Sequence, residues 1–310
     1  MTAGPGVAPP STHPRPSRGR DALTLAKPGI TALIVGVAVA GFFLADPLHP
    51  AWGRLALLVV LGAGASAGAA MLNHYLDRDL DARMRRTRER PLPGARIASG
   101  GRVAAAGLIL SGLSVGLASW LLNPLTGLSI LLGGLTYVVV YTAWLKRRSS
   151  WNIVIGGFAG SAPALAGSAA AVGTWTPGVL AFALLVFLWT PPHFWSLALL
   201  LREDYRAAGL PMLPRMDDVR YSGRVVVVSA ALLVPAALLV AGIGPVSWPV
   251  ALVLVALGAL FVAVTAPLWS EPTRPRALRG FLFSGPYLLA IIGAVIVNGV
   301  LLGWGIPGLT

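Results

Sequence analysis

Three oxygen-bearing side chains stand four residues apart where a long apolar segment ends. Asn73, Asp77 and Asp81 follow a run of Leu, Val, Ala and Gly. If the helix continues, residues four apart lie above one another, so the three side chains form a row along one face. Mg²⁺ prefers oxygen ligands and is usually held by one or two carboxylates together with substrate phosphates and water. The spacing of this first acidic cluster therefore predicts a magnesium site at a helix end.

Arginine is in excess around these carboxylates. Residues 73–102 contain eight arginines against four acidic residues. One interpretation is a solvated helix end whose charges pair with one another. A site for a metal and a polyanion explains the excess better, because carboxylates bind the metal and guanidinium groups bind phosphate oxygens.

A second acidic cluster, Glu203 and Asp204, follows another apolar segment. Pro-Met-Leu-Pro at 211–214 comes after it, much as Arg-Pro-Leu-Pro at 90–93 comes after the first cluster. This similarity suggests a pseudo-repeat of two halves.

His193 is an ionisable residue well inside an apolar segment, about two helical turns from its polar end. Ionisable groups are expensive in a membrane and usually indicate function. Pro191 and Pro192 remove backbone donors and are expected to kink the helix, which could open a cavity. The alternative is a neutral histidine bonded to a neighbouring helix.

The elements that position these residues are membrane spans. Of the 310 residues, 56% are hydrophobic and 11% are charged, against about 25% charged in soluble domains. Apolar runs of about 20 residues recur along the chain, enough to cross the hydrocarbon core as helices. The predicted fold class is all-α, a polytopic membrane protein with nine transmembrane helices. The predicted spans are 29–45, 54–72, 103–122, 125–145, 152–171, 178–201, 224–243, 247–269 and 281–303.

We expect one transmembrane domain, residues 25–310, after a disordered tail, residues 1–24, that is rich in Pro, Ser and Arg. With nine spans, every Lys and Arg except Arg54 lies before the first span or in four loops on the same side. The positive-inside rule places that side and the N-terminus in the cytoplasm and the C-terminus outside. The net charge of +13 therefore reflects topology rather than nucleic-acid binding. Cysteine is absent, which excludes disulfides and thiolate metal sites.

These motifs resemble those of a known family. The Asn-x3-Asp-x3-Asp pattern at 73–81, the nine spans and an acidic cluster after the sixth span resemble the UbiA superfamily of intramembrane prenyltransferases. The resemblance covers the chain from about residue 27 to the last span. Three segments resemble the branch of this superfamily that farnesylates haem: 73–93, 141–157 and 191–214.

The resemblance implies that farnesyl diphosphate and haem b react to give haem O and pyrophosphate, for haem-copper terminal oxidases. It implies Mg²⁺ as cofactor, the lipid bilayer as surroundings, and a downstream haem-modifying enzyme or oxidase assembly factor as protein partner. It also implies a bacterial plasma membrane, with the mitochondrial inner membrane as the alternative.

Carried over by position, the resemblance assigns roles to individual residues. The metal ligands are Asn73, Asp77, Asp81 and Asp204, of which the three aspartates are catalytic. The diphosphate-binding residues are Arg85, Arg86, Arg90 and Lys146. His193 is expected to contact the haem, with iron ligation as one form of that contact. The superfamily often has a second Asp-x3-Asp, whereas Ala208 stands four residues after Asp204, which leaves the binding of a second Mg²⁺ open.

Two alternatives remain at this stage. A UbiA-type enzyme could instead prenylate an aromatic ring. A haem transporter or chaperone would perform no covalent chemistry, although the acidic residues of both clusters lie on one side of the membrane and not near its midplane, where transporter sites usually lie.

Overall fold

The computed structural model describes residues 18–303; residues 1–17 and 304–310 lie outside that description. No strand occurs in the described residues. The α-helices are α1 (Arg18–Ala26), α2 (Pro28–Ala45), α3 (Trp52–Leu76), α4 (Arg78–Arg83), α5 (Gly100–Leu121), α6 (Pro124–Leu135), α7 (Asn152–Gly156), α8 (Phe158–Val172), α9 (Pro177–Leu200), α10 (Arg202–Ala207), α11 (Val219–Ala231), α12 (Leu233–Ile243), α13 (Trp248–Thr265) and α14 (Arg274–Gly303). A π-helix, Thr136–Trp144, and a 3₁₀ turn, Leu145–Arg147, continue α6, and a second 3₁₀ turn, Ala266–Leu268, continues α13.

Nine helical stretches within residues 18–303 are long and apolar enough to cross a membrane, which confirms the predicted fold class. They are 28–45, 52–76, 100–121, 124–147, 152–172, 177–200, 219–243, 248–268 and 274–303. The seventh and ninth begin earlier than predicted, because a helix starts at its cap rather than where apolar residues begin. Asp218, for example, accepts a hydrogen bond from the Tyr221 amide and starts α11.

The predicted disordered tail, residues 1–24, overlaps the first helix of the structure. Residues 18–24 belong to α1, which begins after the last proline of the tail. Asp21 on this helix is 5% exposed and forms an ion pair with Arg96, 2.8 Å away. This contact fixes α1 against the loop that follows the first acidic cluster. The rest of the predicted tail lies outside the described residues.

Small residues allow the spans to pack closely. Gly41 on α2 faces the backbone of Ala164 on α8, and Gly167 on α8 faces the backbone of Ala38. A Cβ atom at either glycine would collide with that backbone. Such close approach is typical of helix packing in lipid, where dispersion contacts replace the hydrophobic effect. This close packing holds α2 against α8. The residue directly before α2, Lys27, contacts Asn73 of the first acidic cluster.

Candidate active site

The first acidic cluster is a helical row, buried at one end of the bundle. Asn73 lies near the end of α3, Asp77 joins α3 to α4, and Asp81 lies in α4. Backbone hydrogen bonds from Asp77 to Asn73 (2.9 Å) and from Asp81 to Asp77 (2.7 Å) maintain the four-residue repeat. The three residues are 4%, 2% and 1% exposed. Buried carboxylates are costly unless cations or metals neutralise them.

Three cations, which we call the cation triad, each bind one member of this row. The contacts are Lys27 Nζ to Asn73 Oδ1 (2.6 Å), Lys146 Nζ to Asp77 Oδ2 (2.5 Å) and Arg90 Nη1 to Asp81 Oδ2 (2.8 Å). The triad converges from three separate segments, namely the α1–α2 junction, the end of the fourth span and the loop after α4. Such convergence of positive groups suits an anionic ligand.

The donor set also fits a divalent cation. Asp77 Oδ1 is buried and has no hydrogen-bond partner, so one carboxylate oxygen is free to bind a metal. Within residues 18–303, no three His, Cys, Asp or Glu side chains group as a metal site. The cluster therefore offers two carboxylates and an amide oxygen, the partial set that Mg²⁺ uses when substrate phosphates complete its coordination.

Lys27 is a site residue that sequence reasoning counted only toward membrane topology. It stands between α1 and α2 with a left-handed backbone (φ 47°), and its Nζ also donates to the Tyr137 hydroxyl (3.1 Å). Burial, and then the charges of Arg90 and Lys146, lower the pKa of Lys27 to about 8. Its one signal in the sequence is its position as a cation directly before the first span.

The π-helix contributes the wall beside the triad. Tyr137 and Tyr141 stack with ring centroids 6.3 Å apart, and Thr142 accepts a hydrogen bond from Asn73 Nδ2 (3.0 Å). π-Helical segments are rare and frequently occur at functional sites. Both tyrosines line a cavity within the bundle.

The other two predicted diphosphate ligands, Arg85 and Arg86, are not part of the cation triad. Arg86 donates to the Tyr205 hydroxyl (3.0 Å) and its guanidinium lies 5.5 Å from that ring, while Arg85 is exposed on the same loop. Burial raises the pKa of Tyr205, so it stays a neutral phenol. This contact connects the loop after α4 with α10.

The second acidic cluster is less buried than the first. Glu203 is exposed and Asp204 is partly exposed in the first turn of α10. In the described residues, Asp204 does not form a three-carboxylate metal site with Asp77 and Asp81. Its role as a metal ligand stays a prediction.

A largely apolar cavity of about 290 Å³ extends from Lys27, one member of the triad, to His193. Lys27, Tyr137 and Tyr141 line it together with Trp189 and His193, and most of the other lining residues are Ala, Gly, Ile, Leu or Val. One cavity thus contacts both a lysine of the charged site and the His193 imidazole.

His193 is held between aromatic rings on α9 and α14. Its ring stacks on Trp189 (centroids 4.5 Å apart) and lies 5.2 Å from the ring of Phe281. Its Nδ1 lies 2.6 Å from the Ser284 hydroxyl. The helix α9 continues through Pro191 and Pro192, both buried. His193 therefore presents one ring edge to α14 while lining the cavity.

Comparison with known proteins agrees with this arrangement. Residues 34–292 match the UbiA prenyltransferase family. The chain is 42% identical over 286 residues to protoheme IX farnesyltransferase 1 of Cenarchaeum symbiosum, covering 90% of this chain and 95% of that protein. It is 43% identical over 248 residues to protoheme IX farnesyltransferase 2 of Paramagnetospirillum magneticum, covering 79% of this chain and 84% of that protein.

A solved structure shares the fold. A UbiA homologue from Archaeoglobus fulgidus, bound to DMAPP and Mg²⁺, superposes with a TM-score of 0.66 at 17% identity, covering 88% of this chain and 99% of that one. The chain therefore belongs to the UbiA prenyltransferase family, within the branch whose curated members are named protoheme IX farnesyltransferase.

Proposed function

We propose that this protein transfers the farnesyl group of farnesyl diphosphate to a vinyl group of haem b, giving haem O and pyrophosphate. The relatives that share about two fifths of its residues over most of its length carry that activity in their names. The observation that carries the proposal is the cavity that extends from Lys27 of the cation triad to His193. A two-substrate transfer needs this connection between a diphosphate site and an acceptor site.

The diphosphate head is placed at the cation triad and the first acidic cluster. Asn73, Asp77 and Asp81 would hold Mg²⁺, with Asp204 reaching in from the second cluster, and the UbiA homologue bound to DMAPP and Mg²⁺ supports this choice of metal. Bound there, Mg²⁺ would supply positive charge against the departing pyrophosphate.

Binding of the head group requires an exchange of partners. Lys146 and Arg90 now neutralise Asp77 and Asp81, and Lys27 donates to the Asn73 amide oxygen. If a metal took over the two carboxylates, these three cations would be free to donate to phosphate oxygens. In that position they would stabilise the negative charge that develops on the leaving group. The triad thus bonds to the acidic row in the free enzyme and would bind the phosphate oxygens of the substrate in the complex.

The rest of the cavity suits the isoprenoid tail and the acceptor. Its apolar lining disfavours unbound water, which would otherwise quench an allylic cation. We place the haem against His193, with its reacting vinyl group toward the triad. Trp189 and Phe194 line the cavity beside His193 and offer apolar ring contacts for a porphyrin.

The protein is a polytopic membrane protein. We propose that the triad faces the cytoplasm of a bacterial plasma membrane, because the basic loops lie on that side. A cytoplasmic opening gives access to Mg²⁺ and a route out for pyrophosphate. Haem O would then pass to a haem-modifying enzyme or an oxidase assembly factor.

Reconstituted vesicles test the function. Given farnesyl diphosphate, haem b and Mg²⁺, they should release pyrophosphate and form farnesylated haem, identified by mass spectrometry. Haem binding without pyrophosphate release would indicate a carrier. Pyrophosphate release with an aromatic acid but not with haem would indicate a different acceptor. Either result would refute the proposal.

A further inference from the structure

Ser284 determines which nitrogen of His193 carries a proton. Its hydroxyl oxygen lies 2.6 Å from the carbonyl oxygen of Phe281 and 2.6 Å from Nδ1 of His193. A carbonyl oxygen can only accept, so it takes the single hydroxyl proton, and the serine oxygen must accept from Nδ1–H. In the neutral imidazole the lone pair then resides on Nε2.

The surroundings keep this imidazole neutral and fixed. Trp189, Phe194 and Phe281 place their rings about it at centroid distances of 4.5, 5.0 and 5.2 Å. Burying a charge among such groups is costly. His193 is partly exposed and lines the cavity. Since Nδ1 is occupied by Ser284, Nε2 is the nitrogen available to a molecule there.

The proposed reaction, on which this inference rests, needs a proton acceptor at that place. Bond formation between the farnesyl C1 and the terminal vinyl carbon leaves a cation on the vinyl carbon next to the porphyrin. In haem O this carbon bears a hydroxyl group, so a water oxygen must bond to it and lose one proton. Haem b, farnesyl diphosphate and water thus give haem O, pyrophosphate and one proton.

We propose that Nε2 of His193 is the general base that takes this proton. By accepting a hydrogen bond from the water, Nε2 orients the water oxygen toward the cation. Without it, the cation loses a proton from the neighbouring carbon, and the product is an alkene that lacks the water. Ser284 is a positioning residue, because it holds the tautomer in which Nε2 is free. His193 therefore decides between hydration and elimination.

The ratio of the two products tests this role. His193→Phe keeps an aromatic ring beside Trp189 but has no lone pair. In reconstituted vesicles with both substrates, we expect the hydroxylated product to form roughly 10²-fold more slowly, as for other general bases, and the alkene to become the main product. Ser284→Ala should shift the ratio in the same direction by a smaller factor. Ser229→Ala, a serine that bonds only to carbonyls of its own helix α11, should leave the ratio unchanged.

The ratio is measured within one sample and does not depend on how much protein folds. An unchanged ratio in both His193→Phe and Ser284→Ala would overturn the inference. Loss of both products in His193→Phe, together with loss of the Soret shift on haem binding, would also overturn it and indicate iron ligation. If the unaltered protein forms no farnesylated haem at all, the proposed function itself fails, which is a separate outcome.

Discussion

The two acidic clusters look alike in the sequence and differ in the structure. Asp77 and Asp81 are at most 2% exposed, and each is bound by a cation. Glu203 and Asp204 are exposed or partly exposed in a short helix whose buried residue is Tyr205. A buried carboxylate costs several kcal/mol unless it is neutralised, whereas an exposed one costs little. The carboxylates of the first cluster thus depend on bound cations for their stability in the free protein, and those of the second do not.

This difference suggests a division of labour. The first cluster is preorganised, because its positions are fixed by α3, α4 and the cation triad before any ligand arrives. The second belongs to a segment connected with the first through Arg86 and Tyr205. We interpret the first cluster as the anchor for the metal and head group, and the second as a part that completes the site once substrate is present.

The largest expected effect comes from removing the anchor. Asp77→Ala removes a metal ligand and leaves Lys146 unpaired, so the rate of pyrophosphate release should fall about 10³-fold, at the upper end for one strong electrostatic contact. Asp81→Ala should behave similarly, with Arg90 unpaired. The measurement is initial rate at saturating Mg²⁺. Near-normal turnover in both variants would contradict the assignment of the metal.

The matching change in the second cluster should be weaker. Asp204→Ala should reduce the same rate by about tenfold to a hundredfold, as expected for a group that supports rather than anchors a metal site. Titration with Mg²⁺ should show a raised half-saturating concentration. A loss as large as that of Asp77→Ala would abolish the distinction between the clusters and make Asp204 an equal ligand.

Sequence reasoning could predict the first cluster because its geometry is local. Asn73, Asp77 and Asp81 belong to one continuous helix, so their spacing alone fixes their alignment. Lys27 could not be assigned in this way, since its contact with Asn73 joins residues 46 positions apart. The nine spans were predictable from hydropathy. The π-helix was not, because its apolar sequence is compatible with an ordinary α-helix as well.

Changes at Lys27, one member of the cation triad, should have an effect of intermediate size on kcat/KM. Its pKa is lowered to about 8, so the free enzyme loses this charge as the pH rises through about 8, and kcat/KM should fall there. Lys27→Met should reduce kcat/KM at pH 7 by roughly tenfold to a hundredfold, the value of one hydrogen bond to a charged group. It should also lack this alkaline decrease.

Lys27→Arg provides the matched control, because arginine keeps its charge well above that pH. It should retain part of the activity and show kcat/KM that stays level beyond pH 8. If Lys27→Met and the unaltered protein share the same alkaline decrease, another group is responsible and Lys27 is not the titrating residue.

The smallest expected effect comes from a neighbouring aspartate that lies off the row. Asp79 is half exposed and forms a two-pronged contact with Arg147 (2.8 and 2.9 Å), which holds the pKa of its carboxyl below the usual range. Because the pKa of this carboxyl is lower in the native state than in the unfolded chain, the contact stabilises the protein at any pH above the unfolded-state pKa of about 3.9. This stabilisation is lost as the pH falls through the native-state pKa.

Because the pair is exposed, Asp79→Asn should cost less than about 1 kcal/mol of stability at pH 7. The cost should vanish at acidic pH, as measured by thermal unfolding in detergent. The rate should stay within about twofold of normal, since Asp79 pairs with Arg147 rather than with a cation of the triad. A large loss of rate at Asp79 would mean that charge in this loop, rather than alignment along the row, determines activity.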